Sequence, residues 1–353
     1  NVRFYEGKQW AEKTEIQDHV LFLCKQELIA ALEDPAFVSI DLSLARPEES
    51  VRIIPVKDVI EPRIKVETGS FFPGILDGFQ KVGEGTTRVL QGCCVVTTGR
   101  IVCYQEGIID MCGPGAQLNP FGRTNNVVLS LEPANELSPE QHEAAVRMAG
   151  IKLATLLARA GLDADVDFSE SFELTPTSAD LPRVVYVNLL LAQGLLHDNY
   201  LYGEDAKKLQ TMVLHPNELM DGAVVSGNCV TASDKNTTYD QTNNPIIREL
   251  YSRHGKDLNF CGVIVSPIST MLSGKERGAM SIANVARTMR ADVLIVSEEG
   301  GGNPEADIMM IAERAETCGL KTVLMLHETA GERGDSEPLV NSNSHANAVI
   351  TAG

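Results

Sequence analysis

Hydrophobic and polar positions fall into two regimes along the chain, and the change comes near Pro182. Up to about Pro133, apolar residues occur in short runs at 37–44, 51–55, 87–90, 94–97 and 127–131, with Gly and Pro between them. Runs of this length, rich in β-branched residues and bounded by turn formers, predict strands. Residues 1–133 therefore read as a β-rich lobe. At Ser138-Pro139-Glu140-Gln141 a capping residue precedes Pro at the first helical position. Ala145, Met148, Ala149, Leu153, Leu156 and Leu157 then recur at helical spacing until Gly161 ends the pattern. An acidic stretch, 162–181, runs on to Leu181-Pro182, so residues 134–181 read as a helical connector that ends at a lobe boundary.

Beyond Pro182 the apolar runs become continuous, at 184–191, 223–226, 260–266, 293–297 and 322–327, separated by helical patterns at 205–212, 245–254, 281–289 and 304–318. Continuous runs belong to strands buried on both faces, and the alternation with helices predicts crossover connections. The expected fold is α/β: a β-rich N-terminal lobe, and a C-terminal lobe over 182–353 with a mainly parallel sheet flanked by helices. Ligands of such sheets sit at the carboxyl ends of the strands. The residues to examine are then Gly227-Asn228-Cys229, Ser266-Pro267, Glu298-Glu299-Gly300, and His327-Glu328.

Composition narrows the function classes. With 48 acidic against 30 basic residues in 353, the net charge of −18 argues against nucleic acid or an anionic membrane as partner. The longest apolar runs, such as 184–192, fall short of the roughly 18 residues that would span a bilayer, and no secretory leader is visible. The eight cysteines form no C-x-x-C pair, so a reducing cytoplasm is the expected compartment. A first residue that is not Met, and a last one just after the strand-like run 348–351, point to residues missing at both ends. Histidines lack any His-Glu-x-x-His spacing, and no metal is expected. His327, at a strand end, is the one placed to serve a site.

The segment Glu298-Glu299-Gly300-Gly301-Gly302-Asn303-Pro304 leads from a strand into a helix, with Asn303 as the expected cap. Backbone amides there would favour a small carboxylate or phosphate; otherwise the glycines form only a turn. No Gly-Lys-Ser/Thr follows, so it is not a Walker loop. Two carboxylates beside an anion repel it, so Glu298 and Glu299 are assigned to the ammonium end of a substrate and the glycine amides to its carboxylate end.

The run 223–226 feeds directly into Gly227-Asn228-Cys229. A strand-end cysteine is often a small buried hydrophobe. As a functional group Cys229 has two possible chemistries: a thiolate acting on substrate, or a thiol attacking the preceding carbonyl, at Asn228, with Gly227 allowing the backbone strain.

Here the sequence resembles a known family, the component B proprotein subunits of the glycine, sarcosine and betaine reductases. The resemblance extends over nearly the whole chain and is carried by residues 51–63, 72–74, 105–110, 113–115, 193–198, 220–229, 243–247 and 297–300. It implies that the Asn228–Cys229 bond is cut by the chain itself and that Cys229 becomes an amino-terminal pyruvoyl group, separating 1–228 from 229–353. Thiol attack gives a thioester, elimination leaves dehydroalanine, and tautomerisation with hydrolysis yields the ketone. Such a carbonyl condenses with a substrate amine and acts as an electron sink. Glycine and sarcosine satisfy that requirement, whereas quaternary betaine does not.

The resemblance further implies a hetero-oligomer with a selenocysteine-containing subunit of component B, a selenoprotein A carrier, a small amino-acid substrate, and a product passed on toward acetyl phosphate. Asn228 and Cys229 are the catalytic candidates. Gly227, His197, Glu298, Glu299, Gly300, Gly301, Gly302, Asn303 and His327 are the substrate-binding candidates. Three readings stand beside this one: a D-proline reductase type of pyruvoyl subunit, a non-catalytic amine-binding scaffold, and a thiol enzyme with an intact Cys229.

Overall fold

The alternating run that begins at Phe37 forms β1 (Phe37–Ala45) of a mixed sheet whose other strands are β2 (Arg52–Ile60), β3 (Cys93–Gly99), β4 (Gly107–Asp110) and β5 (Asn125–Pro133). This computed structural model describes residues 3–4, 10–101, 107–194, 196–227, 235–327 and 341–352. The sheet order is β1-β5-β3-β2-β4; β5 and β3 run parallel and the other pairs antiparallel. Strand β2 continues past Pro55 because the register against β4 shifts between Ile53 and Val56, which passes over the residue that cannot donate to a ladder.

Two helices of this region are α1 (Lys25–Leu32) and α2 (Pro139–Arg159). The start of α2 follows the expectation in full. The Ser138 hydroxyl accepts from Gln141 N at 3.3 Å, and the Gln141 side chain accepts from Ser138 N at 2.9 Å. Gly150 lets the helix lie close on the sheet, since a Cβ there would come within 2.6 Å of Thr97 Cγ2. Helix α1 is absent from the sequence reading because Leu28 and Leu32 alone form its buried stripe and its N-cap residue, Cys24, makes no side-chain cap.

By compactness the chain divides into two units, Asn1–Glu170 with Asp221–Ala232 and Thr237–Tyr239, and Ser171–Met220 with Ser233–Asn236 and Asp240–Gly353. The second unit holds β6 (Arg183–Leu190), β7 (Met212–Leu214), α3 (Pro245–Arg253), β8 (Asn259–Pro267), α4 (Leu272–Thr288), β9 (Val293–Ser297), α5 (Asn303–Thr317), β10 (Lys321–His327) and β11 (Val349–Ala352). Its six-stranded sheet has the order β7-β8-β6-β9-β10-β11, parallel except for the edge strand β7. Val185, Val187 and Leu189 of β6 bury one face against Ile282 and Ala286 of α4 and Ile308, Ile311 and Ala312 of α5. The α/β class holds, with a parallel sheet between helices. Among the described residues no helix is long and apolar enough to cross a membrane.

Two expected elements differ. Residues 205–212 form no α-helix: Asp205 accepts from Lys207 N at 2.9 Å, which holds a short 3-10 turn at Ala206–Lys208, and the chain then extends into β7. The run 223–226 contains a strand of only two residues, Val224–Val225, which is not one of the six strands of the parallel sheet. It belongs to the first unit, where Asp221 pairs with the Lys65 ammonium at 2.6 Å and accepts from Gly83 N and Thr87 Oγ1 at 2.7 and 3.0 Å. Gly222, at φ +78°, turns the chain where a Cβ would meet Phe72 at 2.8 Å.

Candidate functional site

Strand order reverses around β6, which has β8 on one side and β9 on the other, so the carboxyl ends of these strands frame the crevice where an open α/β sheet binds ligands. Two residues after the end of β9 comes Glu299, 3% exposed. Its Oε1 accepts from Gln241 Nε2 at 2.6 Å and its Oε2 from Asn236 N at 3.2 Å. Gln241 Oε1 in turn accepts from Asn188 Nδ2, on β6, at 3.2 Å. Next to this chain, Tyr186 OH and Ser297 Oγ are 2.6 Å apart, and Asn244 Nδ2 donates to Tyr186 OH at 3.1 Å. Lys235 donates to the carbonyl of His197, which is itself buried.

Burial pushes the Glu299 carboxyl up to about 7, against the opposing pull of Lys235 and of the hydrogen bonds from Asn236. Tyr186, also buried, is pushed up to about 12 despite its hydrogen bonds with Ser297 and Asn244. The edge of the sheet thus carries one carboxyl able to change its charge near neutral pH, surrounded by amide and hydroxyl groups.

Glu298 differs from its neighbour. Both of its carboxylate oxygens are buried with no hydrogen-bond partner among the described residues. Burial, and then the charges of Glu305 and Asp307, push this group up to about 9, with Lys275 opposing. It is a neutral acid at pH 7. The loop that follows enters α5 through Gly300 at φ +79° and Gly302 at φ +78°. The cap is Gly302 rather than the expected Asn303, because Gly302 N donates to Glu305 Oε1 at 3.1 Å while Asn303 Nδ2 donates to Ser269 O at 3.2 Å. Lys275 bonds the Asn303 carbonyl at 2.9 Å and also pairs with Asp307. Asn303 therefore ties the β8–α4 connection to the loop.

In the first unit, the strand Val224–Val225 leads to Ser226, 1% exposed, and to a buried Gly227. Ser226 N donates to Thr238 Oγ1 at 3.0 Å. Asp58 Oδ1 accepts from Thr238 N at 2.8 Å, and its Oδ2 accepts from the Thr238 hydroxyl at 2.6 Å. Asn228 and Cys229, like Glu328, lie outside the described residues. So does the side chain of His327, whose backbone pairs with Ala352 at the end of β10. Among the described residues no three potential ligands gather to hold a metal ion.

Of the expected substrate-binding residues, Glu298, Glu299, Gly300, Gly301, Gly302 and Asn303 form one continuous turn at the sheet edge, and His197 reaches the same unit through its carbonyl. Sequence reasoning passed over Asn188, Tyr186, Lys235, Asn236 and Gln241. The legible signal was a polar residue, Asn188, inside an otherwise apolar strand run. Asp58 and Thr238 give no such signal, since Asp58 is one of several charges in the block 51–63.

The chain matches the family described as glycine/sarcosine/betaine reductase component B subunits over residues 4–353. It is 47% identical to a protein of Acetoanaerobium sticklandii named as glycine reductase complex component B subunits alpha and beta, covering 99% of this chain and 83% of that one. It is 44% identical to a sarcosine reductase complex component B subunit alpha of Peptoclostridium acidaminophilum, covering 99% and 84%. A D-proline reductase proprotein of A. sticklandii is 22% identical over 70% of this chain and 43% of its own. No solved structure matches the chain. Matched along nearly its whole length, this chain belongs to the family of glycine, sarcosine and betaine reductase component B subunits, a family of oxidoreductase subunits.

Proposed function

We propose that this chain is the carbonyl-forming, substrate-binding subunit of a component B that reductively cleaves the C–N bond of a small amino acid, and that it cuts itself between Asn228 and Cys229. The observation that carries this reading is the buried strand end at Ser226 and Gly227, held on a fixed hydrogen bond immediately before that dipeptide. A relative whose one chain is named for two subunits, alpha and beta, supports it.

The cut balances without an oxidant. The Cys229 thiol loses its proton and its sulfur bonds to the Asn228 carbonyl carbon; the peptide C–N bond breaks and the nitrogen takes a proton, leaving a thioester. Loss of the Cα proton then breaks the Cβ–S bond, so residues 1–228 depart with a thioacid end and residue 229 becomes dehydroalanine. Water replaces its nitrogen, released as ammonia, and leaves the α-keto group. The flanking residues fit this origin, since Gly227 carries no Cβ to oppose the backbone rearrangement and the chain on both sides is anchored. When present, the group supplies an electrophilic carbonyl for a primary or secondary amine.

The chain's own residues bind and orient. Glu299, set among donors and near its point of charge change, holds the substrate ammonium, and Glu298 supplies a neutral carboxylic acid beside it. The amides of Gly300 and Gly301 hold the substrate carboxylate, because Glu305 already occupies that of Gly302. The attacking selenolate and the electrons come from a selenocysteine-containing subunit and a selenoprotein A carrier, within a hetero-oligomer whose product goes toward acetyl phosphate. A carbonyl of this kind favours glycine and sarcosine over betaine.

Intact mass measurement of the purified protein tests the reading. Two fragments, 1–228 and a 229–353 piece that borohydride reduces at its end, are expected, followed by turnover of glycine or sarcosine with the partner components. A single uncut chain in an active preparation would support the scaffold reading instead.

A further inference from the structure

The block 51–63 contains a buried charge that the sheet-edge cluster does not use. Asp58 is 2% exposed, in β2. Against β3 the register shifts between Val56 and Asp58, so that Lys57 is the extra residue of a bulge, a device that re-aims the side chain after it. Asp58 meets Thr238, 180 residues further on, through both carboxylate oxygens, at 2.8 Å to the backbone N–H and 2.6 Å to the hydroxyl. A carboxylate oxygen accepts and does not donate. The Thr238 proton is thereby committed to Asp58, and the lone pairs of the same oxygen are left for the N–H of Ser226 at 3.0 Å.

We infer that Asp58 is a positioning residue for self-cleavage: acting through Thr238, it fixes Ser226, two residues before Asn228, and so restrains the described chain on the N-terminal side of the bond to be cut. The inference rests on the self-cleavage reading above. It also has a consequence after the cut. Asp58 and Ser226 stay in the 1–228 fragment and Thr238 goes with 229–353, so these buried hydrogen bonds cross the break and hold the fragments together.

Attack within a chain depends steeply on the placement of the two atoms, with about 1 Å of error costing up to about a hundredfold in rate. The test follows fragment formation in the full-length chain by denaturing gel and intact mass. Thr238→Val keeps the volume and removes the hydroxyl; Asp58→Asn keeps the shape and removes one acceptor. Both are expected to slow the cut about tenfold to a hundredfold, while Thr238→Ser, which restores the hydroxyl, stays within about threefold of the parent. Melting temperature reports whether each variant is folded, and if Asp58→Asn does not fold, the Val and Ser variants decide the matter between them. Cleavage of Thr238→Val at the parental rate, or of Thr238→Ser as slowly as Thr238→Val, overturns the inference. A parent chain that never cleaves overturns the self-cleavage reading itself, which is a separate result.

Discussion

Gln241 donates to the Glu299 carboxylate at 2.6 Å and itself accepts from Asn188 at 3.2 Å, so a buried acid after β9 is linked by one side chain to the middle strand of the sheet. An amide in this position fixes direction. Its NH₂ must face the acid because its oxygen is taken by Asn188, and the acid is held in one orientation at the strand end. The same burial that makes the contact dry raises the proton affinity of Glu299, which links the site to folding stability.

The sign of that linkage is defined. Glu299 rises from 4.5 to about 7, so between those values the folded protein keeps a proton that the unfolded chain has released. This contribution to stability is therefore fully present below about pH 4.5, falls as pH rises, and is gone above about pH 7. At about 1.4 kcal/mol per unit of pH, the loss is about 3 kcal/mol. Glu299→Gln should flatten this part of the profile and be more stable than the parent at pH 8. Denaturant titrations at pH 5 and pH 8 measure it, and equal pH dependence in the two proteins would rule the assignment out.

Lys275 and Asp307 form an ion pair with side chains 7% and 6% exposed, and Lys275 also holds the Asn303 carbonyl. Removing one partner strands a buried charge, which costs about 3–5 kcal/mol, whereas replacing both with apolar residues is often close to neutral. Lys275→Met should accordingly unfold at much lower denaturant than the parent, and Lys275→Met with Asp307→Leu should recover most of the difference. No recovery in the double variant would show that the pair is held for something other than charge neutrality.

Much of the fold could be read because its patterns are periodic. The Ser138 capping box, β9 at Val293–Ser297 and α5 at Asn303–Thr317 lie within a residue of the bounds that spacing and turn residues predict. Where local and distant forces compete, the pattern misled. Val224 and Val225 read as a strand of the parallel sheet, but an ion pair 156 residues apart in sequence, Lys65 with Asp221, and the packing of Gly222 on Phe71 and Phe72 fix that strand in the other unit. The glycine turn and its two glutamates were legible as a strand-end signal. Gln241 and Asp58 were not, because each acts through a partner that only the folded chain brings near, and Asn188 showed as a polar break in its strand run without showing what it meets.

Cys229 should be the one thiol on which processing depends. Cys93 is fully buried in β3, where burial pushes its thiol far above the usual range, so it offers no nucleophile at neutral pH. Cys229→Ala is expected to give one uncut chain with no amine reduction, and Cys93→Ala to give the parental fragments. The appearance of both fragments from Cys229→Ala would remove Cys229 from the chemistry.

The last expectation separates binding from processing. Glu305 holds the Gly302 amide at 3.1 Å, so the carboxylate contact proposed above falls to Gly300 and Gly301. Proline at 301 deletes that residue's N–H and leaves the rest of the turn feasible, since Gly300 is already at φ +79° and carries no side chain to clash with the ring. A hydrogen bond to a charged group contributes about 1.5–3 kcal/mol, equivalent to roughly a tenfold to hundredfold weaker site. Gly301→Pro should therefore raise the KM for glycine or sarcosine by about that factor, with the 1–228 and 229–353 fragments formed as in the parent. An unchanged KM in a normally processed variant would reduce the glycine segment to a turn and move the carboxylate site elsewhere.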